Sequence, residues 1–101
     1  MKGDDRPLQD KERCKLRELR PFLVDNICLN GLLDWLLAKG CISRMQFAGI
    51  TQHASDDNKI REMLDILERR SYEQLKVFVS CLKSTHQEQI AREIESTGGE
   101  Y

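Results

Sequence analysis

With 101 residues, 33% of them charged and a mean hydropathy of −0.56, the chain has one domain's worth of sequence, a modest core and a heavily solvated surface. A formal net charge of −1 argues against a domain built chiefly to coat nucleic acid or anionic lipid. No apolar run approaches the length of a bilayer span, and no apolar segment of the secretory kind follows the polar first six residues.

Residues 1–7 read as a disordered lead-in. A helical pattern begins near Leu8 and carries Leu16, Leu19, Phe22, Leu23 and Ile27 on one face. Pro21 lies inside it, lacks an amide hydrogen and crowds the carbonyl of Arg17, so a kink or a break is expected, with two pieces meeting near Arg20-Pro21. The next helix is read as starting at Leu29. Leu29, Leu32, Leu33, Leu36 and Leu37 recur at the spacing of one helix face, Trp35 falls off that stripe and should touch neighbours, and Gly40 supplies a left-handed stop. So apolar a segment is expected to be the rod around which the rest packs.

Ser43-x-x-Gln46 has the form of a capping box and opens a short helix with Met45, Phe47 and Ile50. The polar turn His53–Asn58 suits a cap for a helix carrying Ile60, Met63, Leu64 and Leu67. Ser71-x-x-Gln74 is a second box, ahead of Leu75, Phe78, Val79 and Leu82. Thr85-x-x-Glu88 is a third, ahead of Ile90, Ala91 and Ile94. Gly98-Gly99 ends the pattern, and residues 97–101 read as a disordered tail. Six helices with short connections make an all-α bundle over residues 8–96. Its core is expected to include Leu23, Ile27, Leu32, Leu33, Leu36, Leu64, Leu67, Phe78 and Leu82.

Several of these segments share more than periodicity with a known family. Arg20-x-x-Leu23-Val24-x-x-Ile27 resembles the R-x-x-L-V-x-x-L pattern of caspase-recruitment domains (CARDs). Leu32-Leu33-Asp34-x-Leu36-Leu37-x-x-Gly40 is similar to their L-L-D-x-L-L-x-x-G segment. Leu64-Asp65-Ile66-Leu67-Glu68-x-Arg70 and Phe78-Val79-Ser80-Cys81-Leu82 resemble their fourth and fifth helices. The resemblance implies an antiparallel Greek-key bundle of the death-fold group, with a kinked first helix. It also implies a non-catalytic domain that recruits another CARD by homotypic binding in apoptotic or innate immune signalling, as an adaptor or as a caspase prodomain. Ser71 stands where the family usually has Gly, and Asp57 where some caspase CARDs have a basic residue.

The resemblance further implies that charged faces do the binding. Lys15, Arg17, Arg20 and Arg61 form the expected basic face, with Arg20 and Arg61 close together and exposed. Reversing those two to Glu should leave the fold intact. Asp34, Asp56 and Asp57 form the expected acidic face, and self-association is a further option. A guanidinium suits such a face because its planar fork can hold a carboxylate by two parallel hydrogen bonds.

The rival reading is a small nucleic-acid-binding module using Lys11, Arg13, Lys15, Arg17 and Arg20. Asp10, Glu12 and Glu18 temper that helix, and only 6% of residues are aromatic, so no nucleic acid is expected as a partner, and no membrane. Catalysis has no motif: His53 and His86 lack a fixed partner, and the caspase Q-A-C-x-G signature is absent. Cys28, Cys41 and His53 lack ligand-pair spacing, so neither a metal nor a cofactor is expected. Cys14, Cys28, Cys41 and Cys81 are scattered, which reads as reduced cytoplasmic thiols, mostly buried as small hydrophobes.

Overall fold

A computed structural model describes residues 10–98, so the expected lead-in at residues 1–7 lies outside the described residues. Six helices follow one another: α1 (Asp10–Asn26), α2 (Leu32–Ala38), α3 (Arg44–Thr51), α4 (Asp56–Glu68), α5 (Tyr72–Ser84) and α6 (Glu88–Gly98). Among the described residues there is no β-strand. The last helix runs to Gly98, and the rest of the expected tail also lies outside the described residues.

The helices close into a ring. α1 packs on α4, α4 on α3, α3 on α2, α2 on α5, α5 on α6, and α6 back on α1. Every helix thus has two principal neighbours and none is a hub, which corrects the expectation that α2 is the central rod. The apolar stripes meet inside the ring, and all nine expected core residues are buried there, with Leu23, Leu32, Leu36, Leu67, Phe78 and Leu82 wholly inaccessible. Burying the stripes is what stabilises helices this short, since seven or eight residues are marginal alone.

Local chemistry sets most of the boundaries. Ser43 Oγ accepts from the Gln46 amide at 3.1 Å, and Gln46 Oε1 accepts from the Ser43 amide at 2.9 Å, completing a capping box. Ser55 caps α4 through the Asn58 amide at 3.2 Å. Ser71 caps α5 through the Gln74 amide at 3.4 Å, but Gln74 Oε1 is buried without a hydrogen-bond partner, so the second box is half formed. Beyond α4, the Arg70 fork donates from Nε and Nη2 to the Cys41 carbonyl at 2.9 and 2.7 Å, tying the α2–α3 turn down.

Three further expectations need correction. α1 is one unbroken helix rather than two pieces. Leu16 and Leu23, two turns apart on one stripe, are buried on either side of Pro21, whose exposed ring stays on the solvent side, so packing outweighs the missing amide bond. α2 starts at Leu32 rather than Leu29, because Gly31 adopts φ +83° and breaks any helix arriving from Leu29. Trp35 is not buried between neighbours: it stands 41% exposed, with Lys39 Nζ 5.6 Å from its ring centroid.

The third box is absent. Thr85 caps the end of α5 instead, its hydroxyl bonding back to the Cys81 and Leu82 carbonyls, and His86 turns through φ +63°. Gln87 then reaches across the bundle. Its Oε1 accepts from the Cys28 amide and its Nε2 donates to the Cys28 carbonyl, both at 2.9 Å. That amide clamp ties the α1–α2 connection to the α5–α6 turn. The thiols are also less buried than expected: Cys41 and Cys81 are core, whereas Cys14 and Cys28 are exposed.

Candidate functional site

The expected basic face begins as a helical register. Arg13, Arg17 and Arg20 follow one another at four and three residues, so they point along one edge of α1. α4 lies against that edge and offers Asp65 and Glu68, three residues apart. Arg13 Nε donates to the Glu68 carbonyl at 3.2 Å, and Arg17 Nε to Glu68 Oε1 at 3.2 Å. Arg20 Nη2 donates to Glu68 Oε2 at 2.8 Å and to Asp65 Oδ1 at 2.9 Å. Glu68 is buried, and its carboxylate is shared by Arg17 and Arg20.

This arrangement divides the expected face. Burial of Arg20 works against its charge, but hydrogen bonds and charges from Glu68 and Asp65 outweigh that and raise its pKa. Arg20 is therefore a cation clamped between two helices, a correction to the expectation that it stands exposed. Arg61 is exposed, as expected, and donates to its neighbour Asn58 Oδ1 at 3.1 Å. It lies one turn before Asp65 on α4, at the edge of the clamp. Lys15 and Arg17 are exposed on α1. Arg17 and Arg61 thus present charge to solvent beside the seam that Arg20 holds, whereas Lys15, two residues before Arg17, is exposed on the other side of α1 and does not join them.

Asp65 and Glu68 are the residues that sequence reasoning missed. The signal was there: three arginines at helical spacing on one segment, and two carboxylates at helical spacing on another. Nothing in the chain says which segments become neighbours, and that pairing is what turns the two rows into a clamp.

The expected acidic residues are more scattered. Asp34 is exposed in the first turn of α2, and Asp57 in the first turn of α4. Asp56 lies beside Asp57, 3.7 Å from Lys59 Nζ. α2 and α4 share α3 as a neighbour and are not principal partners of each other, so these carboxylates do not gather on one helix pair. His53 Nε2 lies 3.6 Å from Glu62 Oε1, and His86 is exposed in its turn. Among the described residues no group of three His, Cys, Asp or Glu side chains is placed to hold a metal ion. None of the described helices is long and apolar enough to cross a membrane.

What the geometry offers, then, is a helical bundle with charged faces and an ionic seam built on the buried Glu68. Comparison with curated proteins finds no match. The family model for the caspase recruitment domain matches residues 13–97, from the first arginine of the α1 row to the last turn of α6, and the chain belongs to that family.

Proposed function

We propose that this domain docks on another caspase-recruitment domain through the solvent side of the α1–α4 seam, with Arg17 and Arg61 meeting carboxylates of the partner. Domains of this family are non-catalytic and bind one another homotypically in apoptotic and inflammatory signalling. The family match over residues 13–97 is the observation that carries the reading. Arg17 and Arg61, exposed beside the seam, support the choice of face. In this reading Arg20 is a positioning residue, holding α1 against α4 so that the exposed cations keep their spacing. Asp34, Asp56 and Asp57 offer a second, acidic contact.

The mechanism is proximity. A domain that gathers caspase or adaptor partners raises their local concentration, so a weak encounter becomes an intramolecular one. The adaptor and caspase-prodomain roles, in apoptosis or in innate immunity and in the cytoplasm, both follow this physics. The test is a pull-down against a panel of caspase-recruitment domains with Arg61→Glu. The expected result is a folded variant that loses a partner held by the wild type, in a complex that weakens with added salt. A variant that binds the panel as tightly as wild type would rule this face out.

A further inference from the structure

Three asparagines occur in the chain, and their surroundings differ. Asn26 is followed by Ile27, and its Nδ2 donates to the Phe22 carbonyl at 2.8 Å. Asn58 is followed by Lys59 inside α4, and its Oδ1 accepts from Arg61 Nη1 at 3.1 Å. Asn30 is followed by Gly31 in the α1–α2 connection, where it is exposed. Among the described residues, neither the Asn30 carboxamide nor the Gly31 amide has a hydrogen-bond partner.

The local backbone lets these two groups meet. The Leu29 carbonyl accepts from the Leu32 amide at 3.0 Å, and Gly31, third in that turn, has φ +83°, the pattern of a type II turn. The Asn30–Gly31 peptide is the central one of the turn and takes no part in its hydrogen bond. It can therefore rotate while the turn stays closed, and Gly31, without a Cβ, tolerates either sign of φ. Rotation swings the Gly31 nitrogen toward the side-chain carbonyl carbon of Asn30.

We propose that Asn30 is a site of spontaneous deamidation, and that one product, isoaspartate, loosens the α1–α2 connection. The Gly31 amide gives its proton to hydroxide, and its nitrogen bonds to Asn30 Cγ. The Cγ–Nδ2 bond breaks, and Nδ2 takes a proton from water and leaves as ammonia. The resulting succinimide ring is then opened by water at either carbonyl. Cleavage between Cγ and the nitrogen gives aspartate, and cleavage at the main-chain carbonyl gives isoaspartate. One water is consumed and one ammonia released, with no oxidant and no cofactor.

Isoaspartate routes the main chain through the former side chain and lengthens the turn by one methylene, so the Leu29–Leu32 bond no longer fits. The new carboxylate stands four residues before the exposed Asp34, in a chain whose formal net charge is already −1. Cys28, two residues back, is held at both its amide and its carbonyl by Gln87. The longer turn disturbs that clamp on one side and the start of α2 on the other.

Ageing the full chain in mildly alkaline buffer, followed by anion exchange and peptide mapping, tests this. An acidic species should accumulate, faster at higher pH, with aspartate and isoaspartate at position 30 and with Asn26 and Asn58 intact. An isoaspartyl methyltransferase should label it. Asn30→Gln should fold as wild type and give no such species, because glutamine must close a larger, slower ring. The isolated isoaspartate form should melt lower than fresh protein and exchange its Cys28 amide faster. Asn30→Asp adds the charge without the methylene and should melt close to wild type. Four outcomes each overturn the proposal. One is a chain that stays intact for as long as an unstructured Leu-Asn-Gly-Leu peptide takes to convert. The others are conversion at Asn26 or Asn58 as fast as at Asn30, an isoaspartate form as stable as fresh protein, or an Asn30→Asp variant that melts as low as that form.

Discussion

Cys41 shows how one side chain carries both packing and chemistry. It is wholly buried in the α2–α3 turn, and its Sγ lies 3.4 Å from the Gln74 carbonyl. Burial, with Cys81 adding to it and Arg70 opposing, pushes the thiol from 9.0 up to about 12. A group whose pKa is raised in the fold contributes stability below its unfolded pKa and loses it as pH rises toward the folded value. Between about pH 9 and 12 the unfolded chain therefore holds fewer protons, and stability should fall by at most about 1.4 kcal/mol per pH unit from this group. Urea unfolding across that range should have a shallower pH slope in Cys41→Ala than in wild type. Native thiol titration should label Cys14 and Cys28 quickly and leave Cys41 and Cys81 until denaturant is added. Leu36, wholly inaccessible in α2, is the simpler case: Leu36→Ala should cost about 2–5 kcal/mol by chemical denaturation.

Among the elements, what was legible in the chain is what the chain decides locally. Ser43 and Ser55 cap their helices because the groups they satisfy lie three residues away, and the apolar stripes found the core because helical spacing is fixed. Thr85-x-x-Glu88 has the same form as those caps and fails. The Gln87 amide is engaged 59 residues away at Cys28, and His86 takes the left-handed turn, so the local motif loses to a long-range clamp. Gln87→Ala should cost about 0.5–1.5 kcal/mol, since Cys28 is exposed and water can replace the lost bonds in part. Amide exchange at Cys28 should speed up while exchange in the core of α5 stays slow. An unchanged Cys28 amide would mean that the clamp does not order this connection.

For the molecule as a whole, the decisive question is which charges hold the ring together and which are offered to a partner. Sequence alone groups Arg20 with Arg61, since both match basic positions of the family, and separates neither from Asp65 and Glu68. Three-dimensional pairing separates them. Arg20→Glu would set a third carboxylate against Asp65 and Glu68 on the seam between α1 and α4, next to the buried Glu68. It should destabilise the domain by about 1–3 kcal/mol, moderated by the solvent that reaches Asp65. Arg61→Glu, on an exposed turn of α4, should stay within about ±0.5 kcal/mol. The reversal of both residues, expected to be harmless from sequence, would thus confuse lost binding with lost stability. Thermal melts of the two single variants beside the pull-down resolve it. Arg61→Glu should bind less at an unchanged melting temperature, and Arg20→Glu should melt lower whatever it binds. Equal melting temperatures for the two would mean that the Arg20 clamp does not hold α1 against α4. Arg20 would then return to the docking face beside Arg61.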